Sequence, residues 1–95
     1  MKLIKRPRYE RTVKKILKAH KLDKNIIIQT EDMFIENPKE PSLRYHKIIC
    51  KKDKHRWSIT VPNTQYRILI TQIEDTAYFV ALLNHREYDK NNKDC

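Results

Sequence analysis

The 95-residue sequence contains no glycine. Only glycine enters left-handed backbone at no steric cost, with Asn and Asp next best. Every turn is therefore expected to be built from Pro, Asn and Asp. The same absence excludes a glycine-rich phosphate loop, and with it nucleotide-dependent phosphoryl transfer of the P-loop kind.

The clearest element is a hairpin from Trp57 to Thr71. Its first arm alternates Trp57, Ile59 and Val61 with Ser58 and Thr60, the period-two pattern of a half-buried strand. Pro62-Asn63 supplies the turn. The return arm runs from Tyr66 to Thr71 with Arg67 as its one charge. A loop of two or of four residues gives the same facing. Trp57 and Ile59 share a side with Tyr66 and Ile68, and Arg67 lies beside Ser58 and Thr60 on the other. Arg67 is thus expected as a cation held on the open face of a sheet.

Around this hairpin the chain reads as one α+β domain in the order β-α-α-β-β-β, spanning residues 1–88. A basic-apolar strand, Lys2 to Arg6, is stopped by Pro7, which suits the first turn of a helix. Tyr9, Val13, Ile16 and Leu17 make one face of that helix, with Arg11, Lys14, Lys15 and Lys18 on the other. Asp23 is placed to cap a second helix through Ile26-Ile27-Ile28, Met33 and Phe34, ending near Pro38. The triple Ile is equally a strand pattern. Two helices so tightly joined form a hairpin expected to lie on one face of a mainly antiparallel sheet, the other face partly open and basic. Leu43 to Cys50 reads as a strand and Lys51 to Arg56 as a basic loop. Ile73 to Thr76 makes a tight turn, and Ala77 to Leu83, almost wholly apolar, makes a central or well-covered strand. Asn84 to Tyr88 comes off its end, and residues 89–95 are expected to fray.

Lys and Arg outnumber Asp and Glu by 21 to 12, a formal charge of +9. That surplus favours polyanionic partners, nucleic acid first. No apolar run approaches the ~20 residues of a spanning helix, and no signal peptide is visible. Two cysteines, Cys50 and Cys95, make no disulfide framework, which suits a reducing cytoplasm. His46, His55 and Cys50 lack the Cys-x-x-Cys spacing of a zinc site, and no metal or small-molecule cofactor is expected.

Four segments together carry a resemblance: Ser42-Leu-Arg-Tyr-His-Lys-Ile48, Arg56-Trp-Ser-Ile-Thr-Val61, Tyr66-Arg-Ile-Leu-Ile70 and Leu83-Asn-His-Arg-Glu-Tyr88. In order and spacing they resemble the RelE/ParE superfamily of toxin–antitoxin toxins, as does the β-α-α lead-in. The resemblance implies a small cytoplasmic toxin neutralised by a cognate antitoxin protein. In its RelE-like branch it implies a ribosome-dependent endoribonuclease that cuts mRNA in the A site.

Metal-independent RNA cleavage needs a base for the 2′-hydroxyl proton, an acid for the leaving 5′-oxygen, and cations for the phosphate. Arg67 matches the family's strand arginine, whose planar fork suits a phosphate. His85 matches a histidine just past the last strand, and an imidazole, ordinarily near pKa 6.5, exchanges protons at neutral pH. Were the last strand regular after a two-residue turn at Glu74-Asp75, Asn84 and Arg86 would share the face of Arg67, and His85 would reach the site only by a bend. Tyr88 resembles the family's terminal aromatic, suited to stacking on a base or to packing. His46 is the candidate base if an odd-length loop puts it on the Arg67 side. An even loop makes it structural and Lys47 the cation on that face. Lys51, Lys52, Lys54 and Arg56, with Arg86, are candidate phosphate contacts. Ser58 and Thr60 stand where one branch carries lysines, which favours histidine chemistry. Two alternatives stay open: a ParE-like gyrase inhibitor on the same fold, and a basic nucleic-acid-binding module without catalysis.

Overall fold

A computed structural model describes residues 1–93, the last three by backbone alone. The elements are β1 (Lys2–Lys5), α1 (Pro7–Lys18), α2 (Lys24–Glu36), a 3-10 turn (Pro41–Leu43), β2 (His46–Lys47), β3 (Arg56–Thr60), β4 (Tyr66–Ile73), β5 (Thr76–Asn84) and α3 (His85–Lys93). The five strands lie in the order β1-β5-β4-β3-β2. All neighbours are antiparallel except β1 and β5. This is the expected α+β architecture, a helical hairpin against one face of the sheet.

Local chemistry explains the two long helices. Pro7 sits at the start of α1, where its missing N–H costs nothing. The Asp23 side chain accepts from the Asn25 N–H at 2.9 Å and caps α2. The triple Ile is helical, with Ile27 buried and Ile28 exposed. Tyr9 and Ile16 of α1 and Ile27 and Phe34 of α2 pack on Ile59, Ile68, Ile70, Phe79 and Leu82 of the sheet. Each such side chain contributes about 1.5–3 kcal/mol by leaving water. Aromatic edges run through this core: Phe79 meets both Tyr9 and Phe34 at 5.3 Å, and Phe34 meets Tyr45 at the same distance. Tyr45 stacks on Trp57 at 4.5 Å, and burial pushes its hydroxyl up to about pKa 12.

Two polar contacts fix how the helices sit. The Tyr9 hydroxyl donates to Glu31 Oε2 at 2.7 Å inside the helix pair, and Lys5 Nζ meets the other oxygen at 3.1 Å. Burial first, then the Glu31 charge, push the Tyr9 hydroxyl far up, so it stays a donor. The Leu82 N–H, beyond the reach of β1, donates to Thr12 Oγ1 of α1 at 2.9 Å.

The turns depart from expectation. Left-handed backbone occurs at His20, Arg44, Asn63 and Glu74, and only Asn63 is of the expected type. Each of the others costs roughly 1–2 kcal/mol, offset by what the turn binds. At His20 the α1 carbonyls supply it. His20 N–H donates to Leu17 O and Lys21 N–H to Ile16 O, a Schellman closure with histidine in the usual glycine place.

Two further corrections follow. The expected strand from Leu43 to Cys50 shrinks to His46–Lys47. Leu43 closes the 3-10 turn with its side chain wholly buried, and left-handed Arg44 breaks the extended run. Cys50 is disulfide-bonded, against the expectation of no disulfide. As expected, the second sheet face is only partly open. Tyr88 of α3 packs there on Leu69, Ala81 and Leu83, with Ile48 and Val80 alongside. The helix α3 includes residues 89–93 of the expected tail, and residues 94–95 lie outside the described residues.

Candidate functional site

The hairpin register is as expected. Val61 N–H donates to Tyr66 O, leaving a four-residue loop, and Thr60 pairs with Arg67, Ile59 with Ile68. Arg67 therefore shares a face with Thr60, Ser58 and Leu69. Its guanidinium lies 5.0 Å from the centre of the Tyr88 ring. Tyr88 is only 6 % exposed, so one side of its ring is taken up by Arg67. Cation–π contact of this kind is worth about 0.5–1 kcal/mol and holds the fork in place.

The last strand is not regular, which changes the facing of the residues that lead into His85. Ile70 pairs with Phe79 but Leu69 with Ala81, so Val80 is an extra residue. Such a bulge moves every later side chain to the opposite face. Leu82 stays in the helix-covered core, while Leu83 comes opposite Arg67. His85, two residues beyond Leu83, starts α3, whose Tyr88 packs on the Arg67 side of the sheet. The Asn84 side chain caps α3 by accepting from the Glu87 N–H at 2.8 Å. His85 is exposed, with Nε2 3.3 Å from the Asp89 carboxylate one turn on. Arg86 is exposed beside it.

His46 pairs with Ser58, so it too faces the Arg67 side. Its Nδ1 is 2.7 Å from the Arg44 carbonyl oxygen. Lys47 pairs with Trp57 and takes the other face, because an odd number of residues, 48–56, lies between the paired positions. Lys47 is thus not the cation of the Arg67 face. Beside Arg67, an open groove of about 700 Å³ is lined by Arg44, Thr60 and the hairpin loop Pro62–Gln65. Thr60 Oγ1 is buried with no hydrogen-bond partner, as is Ser58 Oγ.

The basic loop lies elsewhere. Arg56 pairs with Thr71, at the far end of β3 from Thr60, about 13 Å at 3.3 Å per residue. Arg56 Nε is engaged with Asp53 at 3.4 Å. Burial alone would raise the Asp53 carboxyl. Hydrogen bonds from the Thr71 hydroxyl (2.7 Å) and the His55 N–H (2.9 Å), with the Arg56 charge, outweigh it and hold the group below the usual carboxylate range. Lys51, Lys52 and Lys54 are exposed on this loop.

The structure thus brings Arg67, Tyr88 and His46 to one side of the sheet, with His85 at the start of the helix that carries Tyr88, and puts Lys47 on the other face and the basic loop at the far end of β3. Arg44 and Thr60 are residues that sequence reading missed. For Thr60 the signal was present, since the hairpin facing already put it beside Arg67. Among the described residues no group of three or more His, Cys, Asp or Glu side chains converges as a metal site. No described helix is long and apolar enough to cross a membrane.

The strand order, the helical hairpin on one face and the helix after β5 make an α+β fold also found in solved structures of toxins. Crystal structures of YafQ share it. YafQ from Escherichia coli strain BL21(DE3) superposes with a TM-score of 0.73 over 90% of this chain and 94% of that one, at 15% identity. YafQ in the Escherichia coli DinJ–YafQ toxin–antitoxin complex gives 0.73 over 90% and 92%, at 16% identity. A copper-bound mutant toxin from Helicobacter pylori gives 0.71 over 92% and 97%, at 16% identity. No family model and no curated protein matches the sequence.

Proposed function

We propose that this chain is the toxin of a toxin–antitoxin module and an endoribonuclease that cuts mRNA in the ribosomal A site without a metal ion. The observation that carries this reading is the disposition of three side chains. Arg67 lies on β4, with His46 two strands away on β2 and His85 just past the end of β5 on the other flank. The two histidines thus come from elements that flank the strand of Arg67, and an open groove lies beside Arg67.

In this mechanism His46 Nε2 takes the proton of the 2′-hydroxyl, and the 2′-oxygen attacks the adjacent phosphorus. The bond to the 5′-oxygen breaks, and protonated His85 gives that oxygen its proton. The products are a 2′,3′-cyclic phosphate and a 5′-hydroxyl. Arg67, backed by Tyr88, holds the non-bridging oxygens as their charge grows. Lys51, Lys52 and Lys54 contact phosphates further along the strand, where they position without reading sequence. Arg86 extends the positive surface beside His85.

The same exposed cations call for a neutralising partner. An antitoxin segment of acidic, amphipathic character laid across this side covers them. A charge of +9 makes that association fast and salt-sensitive.

The test is mRNA on programmed ribosomes. Cleavage at the A-site codon, leaving cyclic phosphate, is expected from the wild type, and a loss of at least about 10²-fold from Arg67→Ala or His85→Ala. Intact mRNA together with stabilised gyrase–DNA cleavage complexes would assign the chain to the gyrase-directed class instead.

A further inference from the structure

We infer that the backbone of Arg44 locks the tautomer of His46, which makes Arg44 a positioning residue of the cleavage site. This deepens the reading of His46 as the general base and rests on it. A carbonyl oxygen only accepts. The His46 nitrogen 2.7 Å from Arg44 O must therefore carry the hydrogen, and that nitrogen is Nδ1. In the neutral ring the lone pair then lies on Nε2, the atom directed away from the backbone. Without such an acceptor an exposed imidazole favours the Nε2–H form, which has no base at its outer end.

The lock depends on an unusual backbone. Arg44 stands at φ 49 and ψ 46, a left-handed conformation that an arginine does not adopt unaided. Both neighbours are anchored. Leu43 before it is wholly buried, and Tyr45 after it is held between Phe34 and Trp57. The Arg44 N–H closes the 3-10 turn on Pro41 O at 3.2 Å, while its carbonyl turns toward the ring two residues on. Strain held by over-determined neighbours recurs where geometry serves a site. When Nε2 accepts the 2′-hydroxyl proton the ring becomes a cation, and the Nδ1–H···O=C bond becomes charge-assisted. The contact is therefore stronger after proton transfer than before it, which is the condition for lowering a barrier.

Arg44→Gly and Arg44→Ile test this as a pair, since both remove the guanidinium and only glycine tolerates the left-handed turn. Nitrogen-15 NMR of the His46 ring at about pH 8, where an ordinary imidazole is neutral, reads the tautomer without any substrate. Wild type and Arg44→Gly are expected to show protonated Nδ1 and bare Nε2, and Arg44→Ile a shift toward Nε2–H. On programmed ribosomes Arg44→Ile should fall about 10- to 100-fold below Arg44→Gly in kcat at similar KM, the usual scale for losing a ring-orienting acceptor. Should Arg44→Ile not fold, the smaller β-branched Arg44→Val takes its place with the same expectation. An Nε2–H ring in the wild type, or equal tautomers and rates in the glycine and β-branched variants, would overturn the lock. A correct tautomer in a wild type that leaves mRNA intact would instead overturn the nuclease reading and leave the lock standing.

Discussion

Arg67 shows how a single surface cation acquires a fixed direction. Its strand gives it a face and Tyr88 gives it a backing, so little side-chain freedom remains to be lost on meeting a phosphate. Tyr88→Phe keeps the ring and is expected to keep stability and cleavage. Tyr88→Ala opens the small second core and should lower stability by about 3 kcal/mol in urea denaturation, with cleavage falling because Arg67 is no longer held. A reversed ranking would mean that the hydroxyl, not the ring, is what matters. Tyr9 makes a similar argument inside the helix pair. Its hydroxyl and Lys5 share the buried Glu31 carboxylate. Tyr9→Phe should cost about 1–3 kcal/mol by leaving that oxygen without its donor, again read from urea denaturation.

At the scale of elements, α3 is the piece that completes the site, because it carries both His85 and Tyr88. Its start depends on Asn84, whose substitution by Ala should cost about 1 kcal/mol and loosen Tyr88, visible as faster amide exchange in α3. The signal for this helix was in the sequence, as Asn84 followed by Glu87 three residues later. What sequence reading lacked was the Val80 bulge. Every residue from Ala77 to Leu83 except Tyr78 is plainly apolar, so no alternation marks where the facing changes, and only pairing against β4 reveals it. Arg44 was equally hidden, since a left-handed arginine is imposed by its anchored neighbours and not by its own preference. The helices and the central hairpin, by contrast, were legible from Pro7, Asp23 and the Trp57–Val61 alternation. The β2–β3 connection allows a pH test. Asp53 titrates lower in the folded state than unfolded, so it stabilises the fold above the ordinary carboxylate value near 4 and loses that contribution as pH falls through its folded value. Asp53→Ala should therefore be less stable than wild type at neutral pH by about 1–3 kcal/mol. The gap between their urea midpoints should close as acidification proceeds below the ordinary carboxylate range.

Across the whole molecule, charge gathers at the two ends of β3, with Arg67 and Arg44 at the hairpin-loop end and the lysine loop at the other. The 13 Å or so between Thr60 and Arg56 spans roughly two nucleotides of extended single strand, taking each as about 6–7 Å in backbone length. One RNA strand therefore meets both ends only if it runs along β3, with the scissile phosphate at Arg67 and the lysines on phosphates beyond it. Affinity for single-stranded RNA then carries a salt signature that separates the two ends. Each neutralised phosphate contributes about −0.7 to the slope of log K against log salt. Replacing Lys51, Lys52 and Lys54 together by Ala should make the slope shallower by about 2, with a matching loss of affinity at low salt. The cleavage step of RNA already bound should be nearly unchanged, because none of the three lies at the groove. Arg67→Ala should do the opposite, changing the slope by less than 1 while abolishing cleavage. If the triple replacement leaves the slope where it was, the loop faces solvent and the strand leaves the groove in another direction.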